Sequence, residues 1–321
     1  AKAVAEHLGT QHTEQIVTAA EAMAVIPYLP EFYDEPFADS SQIPTYLVSK
    51  LARKEVTVSL SGDAGDELFG GYNRYFIGTK LWRSLAPFPT PLRGMIAKLI
   101  TVLSPTQIDA LFGKIIRAKA LGDKAHKLAG LFDAKTAHDL YHRLHTFWPL
   151  DIVNQNHSGT HKAIDDIGSF ADDMMLHDTV NYLPDDILVK LDRASMAVSL
   201  ESRVPMLDPE LFEFAWSLAP NLKIRDDQGK YLLRQLLYKY VPQEFVDRPK
   251  MGFGVPIGDW LRGPLRDWAE DLLSEKSLEL EGMLHSKPII AKFQDHLSGR
   301  RNWQYYLWPI LMYQAWRQAQ N

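Results

Sequence analysis

Three carboxylates crowd one short stretch, VTVSLSGDAGDELFGGY (Val56–Tyr72): Asp63, Asp66 and Glu67. They follow a β-branched run and the pair Ser61–Gly62, and they precede a second glycine pair. A strand that delivers a Ser-Gly turn into a helix is a common ligand-binding arrangement. Gly62 lets the backbone come close to a ligand, and free N–H groups at a helix start can hold an anion. Three carboxylates, however, would repel a bare phosphate. A cation between them removes the conflict, because Mg²⁺ takes one or two carboxylates and binds phosphates on its other side. The competing reading is structural: acidic residues complement the dipole of a first helical turn, and Asp63 would be an N-cap. Neither role calls for Gly62, Gly65, Gly70 and Gly71, and glycine in a first turn lowers helix stability.

The elements that must position these residues follow from pattern. Val56–Leu60 reads as a buried strand and Gln11–Thr18 as a shorter one. Ser40 or Ser41 would cap a helix running through Lys54. Asp66 to about Trp82 reads as a helix. Apolar spacing is mostly helical from Leu92 to Phe147. Asp165–Leu200 reads as one or two helices broken near Pro184, and Leu211–Leu218, Lys230–Tyr240, Leu265–Leu273 and Trp303–Gln320 as further helices. Residues 154–160 read as a polar loop. The opening AKAVAEHLGT reads as the interior of a helix without a cap, so the chain is expected to begin mid-fold. Two early strands followed by helices suggest a small α/β edge carrying a helical body.

Composition narrows the classes. The chain has 321 residues, 46% hydrophobic and 23% charged, enough for a large core of one domain or two. A net charge of −5 gives no sign of a nucleic-acid partner. The best apolar run, Met95–Leu103, is short and contains Lys98, so no membrane partner is expected. Cysteine is absent, which excludes disulfides and thiolate chemistry within this chain. With no export signal, the cytoplasm is the expected compartment.

The string SGDAGDELFGGYNRY (Ser61–Tyr75) closely resembles a signature of the glutamine-dependent asparagine synthetases, in their ATP-using domain. Asp34–Ala52, Leu188–Asp208 and Arg248–Leu265 resemble further segments of that family in the same order, so the resemblance covers nearly the whole chain. It implies an α/β fold: an incomplete PP-loop ATP-pyrophosphatase-type, Rossmann-like domain, with few parallel strands near the N-terminus and a largely helical remainder. It implies ATP and Mg²⁺ as cofactors. The substrates would be aspartate, ATP and ammonia from glutamine, with a β-aspartyl-AMP intermediate and pyrophosphate release. Two anions must meet in that reaction, so cations must neutralise them and the leaving group must be stabilised.

Carried over by position, Asp66 matches the Mg²⁺ ligand and Glu67 supports it. Ser61 and Gly62 meet the nucleotide, and Asp63 lies near the activated intermediate. Lys250 matches the catalytic lysine, where a compact charge follows charge developing on phosphoryl oxygens. Asp192 and Arg193 face the nucleotide, while Glu201 and Arg203 read as a structural pair. Lys230 reads as structural or at the site's rim. The family's Cys-dependent glutaminase domain and its Ser-Gly-Gly-x-Asp-Ser phosphate loop have no match in the sequence. The chain alone is therefore expected to make no asparagine from glutamine and to bind ATP weakly at best. A homodimer fits the family's habit.

Other readings compete. Eight aspartates between Asp165 and Asp192, among them Asp172, Asp173, Asp178, Asp185 and Asp186, resemble the paired motifs of all-helical prenyl-diphosphate synthases. That reading leaves SGDAGDELFGGY unexplained. His138, His142 and His145 fall on one helical face and could ligate zinc. A non-catalytic binding module is a third possibility. Within the family, other acceptors such as the uronic acids of surface polysaccharides compete with aspartate. The aromatic run Trp303–Trp316 reads as core or buried interface.

Overall fold

A computed structural model describes residues 1–116, 121–148, 152–153, 167–247, 254–280 and 282–320. Its contacts group into two compact units, one built from residues 1–32, 39–77 and 161–255, the other from 33–38, 78–160 and 256–321. Lys250 and the start of its segment (248–253), the polar loop 154–160, Asp165 and Asp166 lie outside the described residues.

The first unit holds the carboxylate stretch. Its strand β1 (Val58–Leu60) pairs in parallel with β2 (Glu201–Arg203), in the register Val58↔Glu201, Ser59↔Ser202 and Leu60↔Arg203. Among the described residues this is the whole sheet. The second early strand is therefore a correction. Residues 11–18 form no regular element and are exposed, Ile16 to 86%. β-branched residues make a strand only when a neighbouring strand takes their hydrogen bonds. The partner of β1 comes instead from the LESRVP segment. β1 is also not buried: Leu60 is 73% exposed, where parallel strands are ordinarily covered on both faces.

Helices dominate the rest of this unit. α1 (Gln42–Ala52) begins at Ser41, whose hydroxyl does not cap it but donates to Asp39 at 2.7 Å. The expected long helix after Asp66 is two: α2 (Gly65–Phe69) and α3 (Asn73–Leu85). They are separated at Gly70, whose φ of 67° ends α2 in the left-handed region that glycine adopts freely. From Phe170 to Met196 the chain stays helical, and the expected break at Pro184 does not occur. α4 (Phe170–His177) runs into a π-helical stretch, Asp178–Leu188, and that into α5 (Val189–Met196). The wider π turn absorbs a proline that an α-helix would reject. α6 (Pro209–Ser217) and α7 (Tyr231–Leu237) follow, with shorter helical turns between and around them. Leu68 and Phe69 of α2 bury against Leu183, Ile187 and Ala215, which stabilises the unit by about 1.5–3 kcal/mol per side chain.

The second unit has an aliphatic and aromatic centre. Leu261, Leu272, Ile289, Leu307 and Leu311 are fully buried there, from the helices Ile257–Arg262, Arg266–Leu272, Ser286–Leu297 and Gln304–Ala319. Trp303 and Trp308 join that core, as expected of the aromatic run. His296 sits at its middle, taking the Trp303 N–H on Nδ1 (3.1 Å) and donating from Nε2 to the Gly258 carbonyl (2.9 Å). Burial, then the nearby Arg262 charge, push its pKa down to about 4.

Two rival readings meet this structure. The aspartate-rich segment does not line up as facing pairs. Asp172 forms a capping box with Ser169, Asp173 accepts the Ile167 N–H at 2.9 Å, and Asp178 is fully buried. The parallel strand pair also contradicts an all-helical fold. His138 and His142 are ring neighbours at 5.3 Å, as their helical spacing dictates. Among the described residues, no three His, Asp or Glu side chains converge on a metal-sized point.

Candidate active site

The site builds from β1 outward. The Ser61 N–H donates to the Arg203 carbonyl at 2.8 Å, so the parallel pairing extends one residue and fixes where the loop leaves the sheet. That loop lies beyond the carboxyl ends of both strands, the position where open α/β sheets bind ligands. The Ser61 hydroxyl donates to the Asp63 carboxylate. Asp63 does not cap α2. The cap position is Ala64, buried and left-handed at φ 66°, with no side-chain cap bond. A left-handed alanine costs on the order of 1–3 kcal/mol, and such residues cluster at sites where backbone direction matters. A Cβ added at Gly62 would meet nothing within 4 Å, so the chain itself gives no packing reason for glycine there. With five residues α2 has a short dipole, and the electrostatics of the site fall mainly on its side chains.

Those side chains divide. Asp66 is partly exposed, with Lys230 Nζ 3.1 Å away. Lys230 is the second left-handed non-glycine residue here (φ 59°), and its N–H donates to the Phe69 carbonyl at 2.8 Å. The fit depends on Gly71: a Cβ there would lie 2.0 Å from Asp66 Oδ1 and 2.4 Å from Lys230 Cε. Glu67 points the other way. It is 1% exposed and takes the Tyr72 hydroxyl at 2.7 Å. Burial, outweighing the Tyr72 bond and helped by the charges of Asp66 and Asp178, pushes its pKa up.

Beneath the loop lies a layer of charge. Asp178 takes Arg74 Nε at 2.9 Å and Nη2 at 2.7 Å, and the Tyr75 hydroxyl at 2.5 Å. The Arg74 guanidinium lies 4.2 Å from the Tyr72 ring centre and 4.7 Å from that of Tyr182. Along the π stretch, residues four apart stay nearly in line, so Asp178, Tyr182 and Asp186 form one row. Lys190 Nζ pairs with Asp39 at 2.8 Å. Burial, then repulsion from Asp39, push the Asp186 carboxyl up to about 7 against the opposing attraction of Lys190.

Of the sequence-predicted residues, Ser61, Gly62, Asp63 and Asp66 share one loop and turn, while Glu67 faces inward. Asp192 and Arg193 sit on α5, which packs on α1 and β2, and pair with each other at 3.3 Å. Glu201 and Arg203 form the structural ion pair that was expected, at 2.7 Å. Lys230, read as structural or peripheral, is placed against Asp66. No local spacing announces it. Arg74, Asp178, Asp39 and Lys190 were also missed as partners, because their pairing spans 104 and 151 residues of chain.

Three of the four family-like segments thus meet in one unit, Lys190 pairing with Asp39 and the Ser61 N–H bonding the Arg203 carbonyl. The family model for asparagine synthase matches residues 1–318. The chain belongs to the asparagine synthase family. It is 30% identical over 322 residues to asparagine synthetase [glutamine-hydrolyzing] 1 of Bacillus subtilis, covering 98% of this chain and 49% of that protein. It is 33% identical over 323 residues to a putative asparagine synthetase [glutamine-hydrolyzing] of Mycobacterium tuberculosis, covering 98% and 47%. Asparagine synthetase [glutamine-hydrolyzing] 3 of B. subtilis matches at 25% over 293 residues, 88% and 40%. The chain spans about half the length of the curated relatives it matches.

Proposed function

We propose that this member of the asparagine synthase family is the ATP-using part of a carbon–nitrogen ligase, with the PP-loop type of domain its motifs imply. The side-chain carboxylate of aspartate attacks the α-phosphorus of ATP and pyrophosphate leaves, and ammonia then displaces AMP from the acyl adenylate to form the amide. The observation that carries the reading is the Ser61–Gly71 turn. It combines open space over Gly62, a partly exposed Asp66, and a lysine held beside it by a glycine that no larger residue can replace without displacement.

Asp66 is the carboxylate that would hold Mg²⁺, with Glu67 behind it. A bound Mg²⁺ supplies neutralising charge for the phosphates. In the free chain Lys230 neutralises Asp66, and its ammonium is positioned to meet phosphate oxygens when they arrive. Ser61 and Gly62 offer backbone groups to the nucleotide. Asp63, to which the Ser61 hydroxyl donates, is assigned to the activated carboxyl on the strength of its motif. Asp192 and Arg193 are assigned to the nucleotide and Lys250 to developing phosphoryl charge, both on the strength of their motifs.

Carboxylate-dependent exchange of labelled pyrophosphate into ATP tests this in the complete gene product, with ammonia omitted. Aspartate should drive exchange, and Asp66→Asn should lower it by roughly a hundredfold. Exchange that ignores aspartate but responds to a uronic acid would move the acceptor to a sugar. Exchange unaffected by Asp66→Asn would overturn the site.

A further inference from the structure

In the second unit, the helix Ser286–Leu297 starts without a side-chain cap. The chain just before it is tied down. Leu284 bridges Val153 in antiparallel fashion, and the His285 N–H donates to the Ile152 carbonyl at 2.9 Å. The Ser286 and Lys287 N–H groups open the helix and have no acceptor within it. Beside this start lies a cavity of about 700 Å³, inside the range of ~300–1,000 Å³ that small-molecule sites occupy.

The cavity is built for both an apolar body and a charge. Trp148, Ile152, Leu284 and Pro288 give it an apolar wall. Its charged lining is Lys287 and Lys292 against Glu279, and Glu279 already takes the Ser286 hydroxyl at 2.6 Å. Pro288 and Lys292 are four apart on the helix and share a face. Long helical side chains lean toward the N-terminus, which carries the Lys292 ammonium toward the uncapped start.

Lys292 is the member that calls for a ligand. Its ammonium lies 4.2 Å from the Trp303 ring centre, 5.1 Å from that of Trp148 and 5.7 Å from that of Tyr306. Among the described residues no carboxylate pairs with it. The acidic charge that reaches it, Asp295, is held by Arg300 at 2.6 Å. The Arg301 guanidinium lies 3.9 Å from the same Trp303 ring, so two cations share one indole. Burial, then the Arg301 charge, push the Lys292 pKa down. The Trp303 indole N–H is itself buried without an acceptor. Aromatic faces return part of what a desolvated ammonium loses, and an opposite charge in good geometry returns more. The uncapped helix start favours a ligand of the same negative sign.

We propose that this cavity binds a small organic anion, a carboxylate or phosphate group on a flat apolar body. The anionic group sits between Lys292 and the helix start, and the body lies against Trp148. The site uses no residue of the Ser61–Gly71 turn. Titration of the full chain with benzoate, phenyl phosphate and neutral benzyl alcohol tests it, read by indole fluorescence and calorimetry. At least one of the two anions should bind saturably, and the tighter one tells carboxylate from phosphate. Benzyl alcohol should bind roughly tenfold more weakly or worse. Lys292→Met keeps the apolar stem and should weaken the anion by roughly tenfold or more, whereas Lys292→Arg should retain most of the affinity. Lys287→Glu, at an exposed position, should weaken binding without disturbing the fold. Asp66→Asn should leave the affinity unchanged. The proposal is overturned if neither anion binds saturably, or if benzyl alcohol binds as tightly. Unchanged affinity in Lys292→Met and Lys287→Glu overturns it too, since the lysines would then serve packing alone. So does a loss on Asp66→Asn, which would place the anion at the turn.

Discussion

The two units differ in how much charge they bury. Under the Ser61–Gly71 turn the interior is ionic: Asp178 is fully buried with Arg74, Asp39 is joined to Lys190, and Glu67 is sealed behind Tyr72. Around Leu261 and Leu311 the interior is mostly hydrocarbon, and its central titratable group, His296, is held neutral. An apolar core of the same volume is at least as stable as a buried ion pair, so charge retained in an interior points to geometry rather than stability. In the first unit the geometry served is that of the turn carrying Asp66. The second unit has no such obligation and packs as cores ordinarily do.

Breaking the ionic layer should produce the largest effect. Asp178→Ala leaves the Arg74 guanidinium without its buried partner and should cost about 3–5 kcal/mol in denaturant unfolding. Leu261→Ala, at a fully buried apolar position of the other unit, should cost about 2–5 kcal/mol through a cavity. The comparison sharpens if Asp178→Ala also weakens Mg·ATP binding while Leu261→Ala does not. Equal binding losses in both would mean that the ionic layer has no special relation to the site.

Gly71→Ala separates positioning from folding more cleanly. Its methyl group would collide with Asp66 and Lys230 rather than with backbone. The expected outcome is a loss of Mg·ATP affinity of roughly tenfold or more, with a stability change of about 1–3 kcal/mol as the two side chains give way. Retained affinity would break the link between the Asp66–Lys230 pair and ligand binding.

The smallest effects concern pH, and the two units should respond with opposite sign. Asp186 has its pKa raised to about 7, so between the ordinary carboxylate range and that value the folded chain holds more protons than the unfolded one. Its contribution is lost as pH rises through 7. Asp186→Asn, which keeps a donor toward Asp39, should remove that loss and raise Tm at pH 8 relative to pH 6. His296 has its pKa lowered to about 4, so the unfolded chain holds more protons between 4 and 6.5. Its contribution is complete above 6.5 and is lost as pH falls toward 4. His296→Gln should flatten the acid side of the Tm profile. Both profiles are read by calorimetry, and matching slopes in wild type and variants would contradict the assigned environments.

Legibility from sequence differed element by element. Amphipathic helices such as Pro209–Ser217 and Gln304–Ala319 were readable because helix formation answers to a local period. Strand pairing was not. Gln11–Thr18 has strand composition and no strand partner among the described residues, whereas Glu201–Arg203 has little strand character and pairs with β1. The helix through Pro184 was misread as broken because a π turn is a choice made by packing. Within the site, the loop residues were visible as a string, while Lys230 was invisible as a partner of Asp66.

The sequence by itself determined the chemistry offered, a run of glycines and carboxylates of a kind that asparagine synthases share, because residue types and their local spacing are written in it directly. It also determined the apolar run Met95–Leu103. Only the tertiary structure decided which charges neutralise one another, that Glu67 turns inward while Asp66 meets a lysine from the start of a distant helix, and that Met95, Leu99 and Val102 face out. Those outcomes depend on which surfaces the folded chain removes from water, and that is a property of the whole packing rather than of any segment.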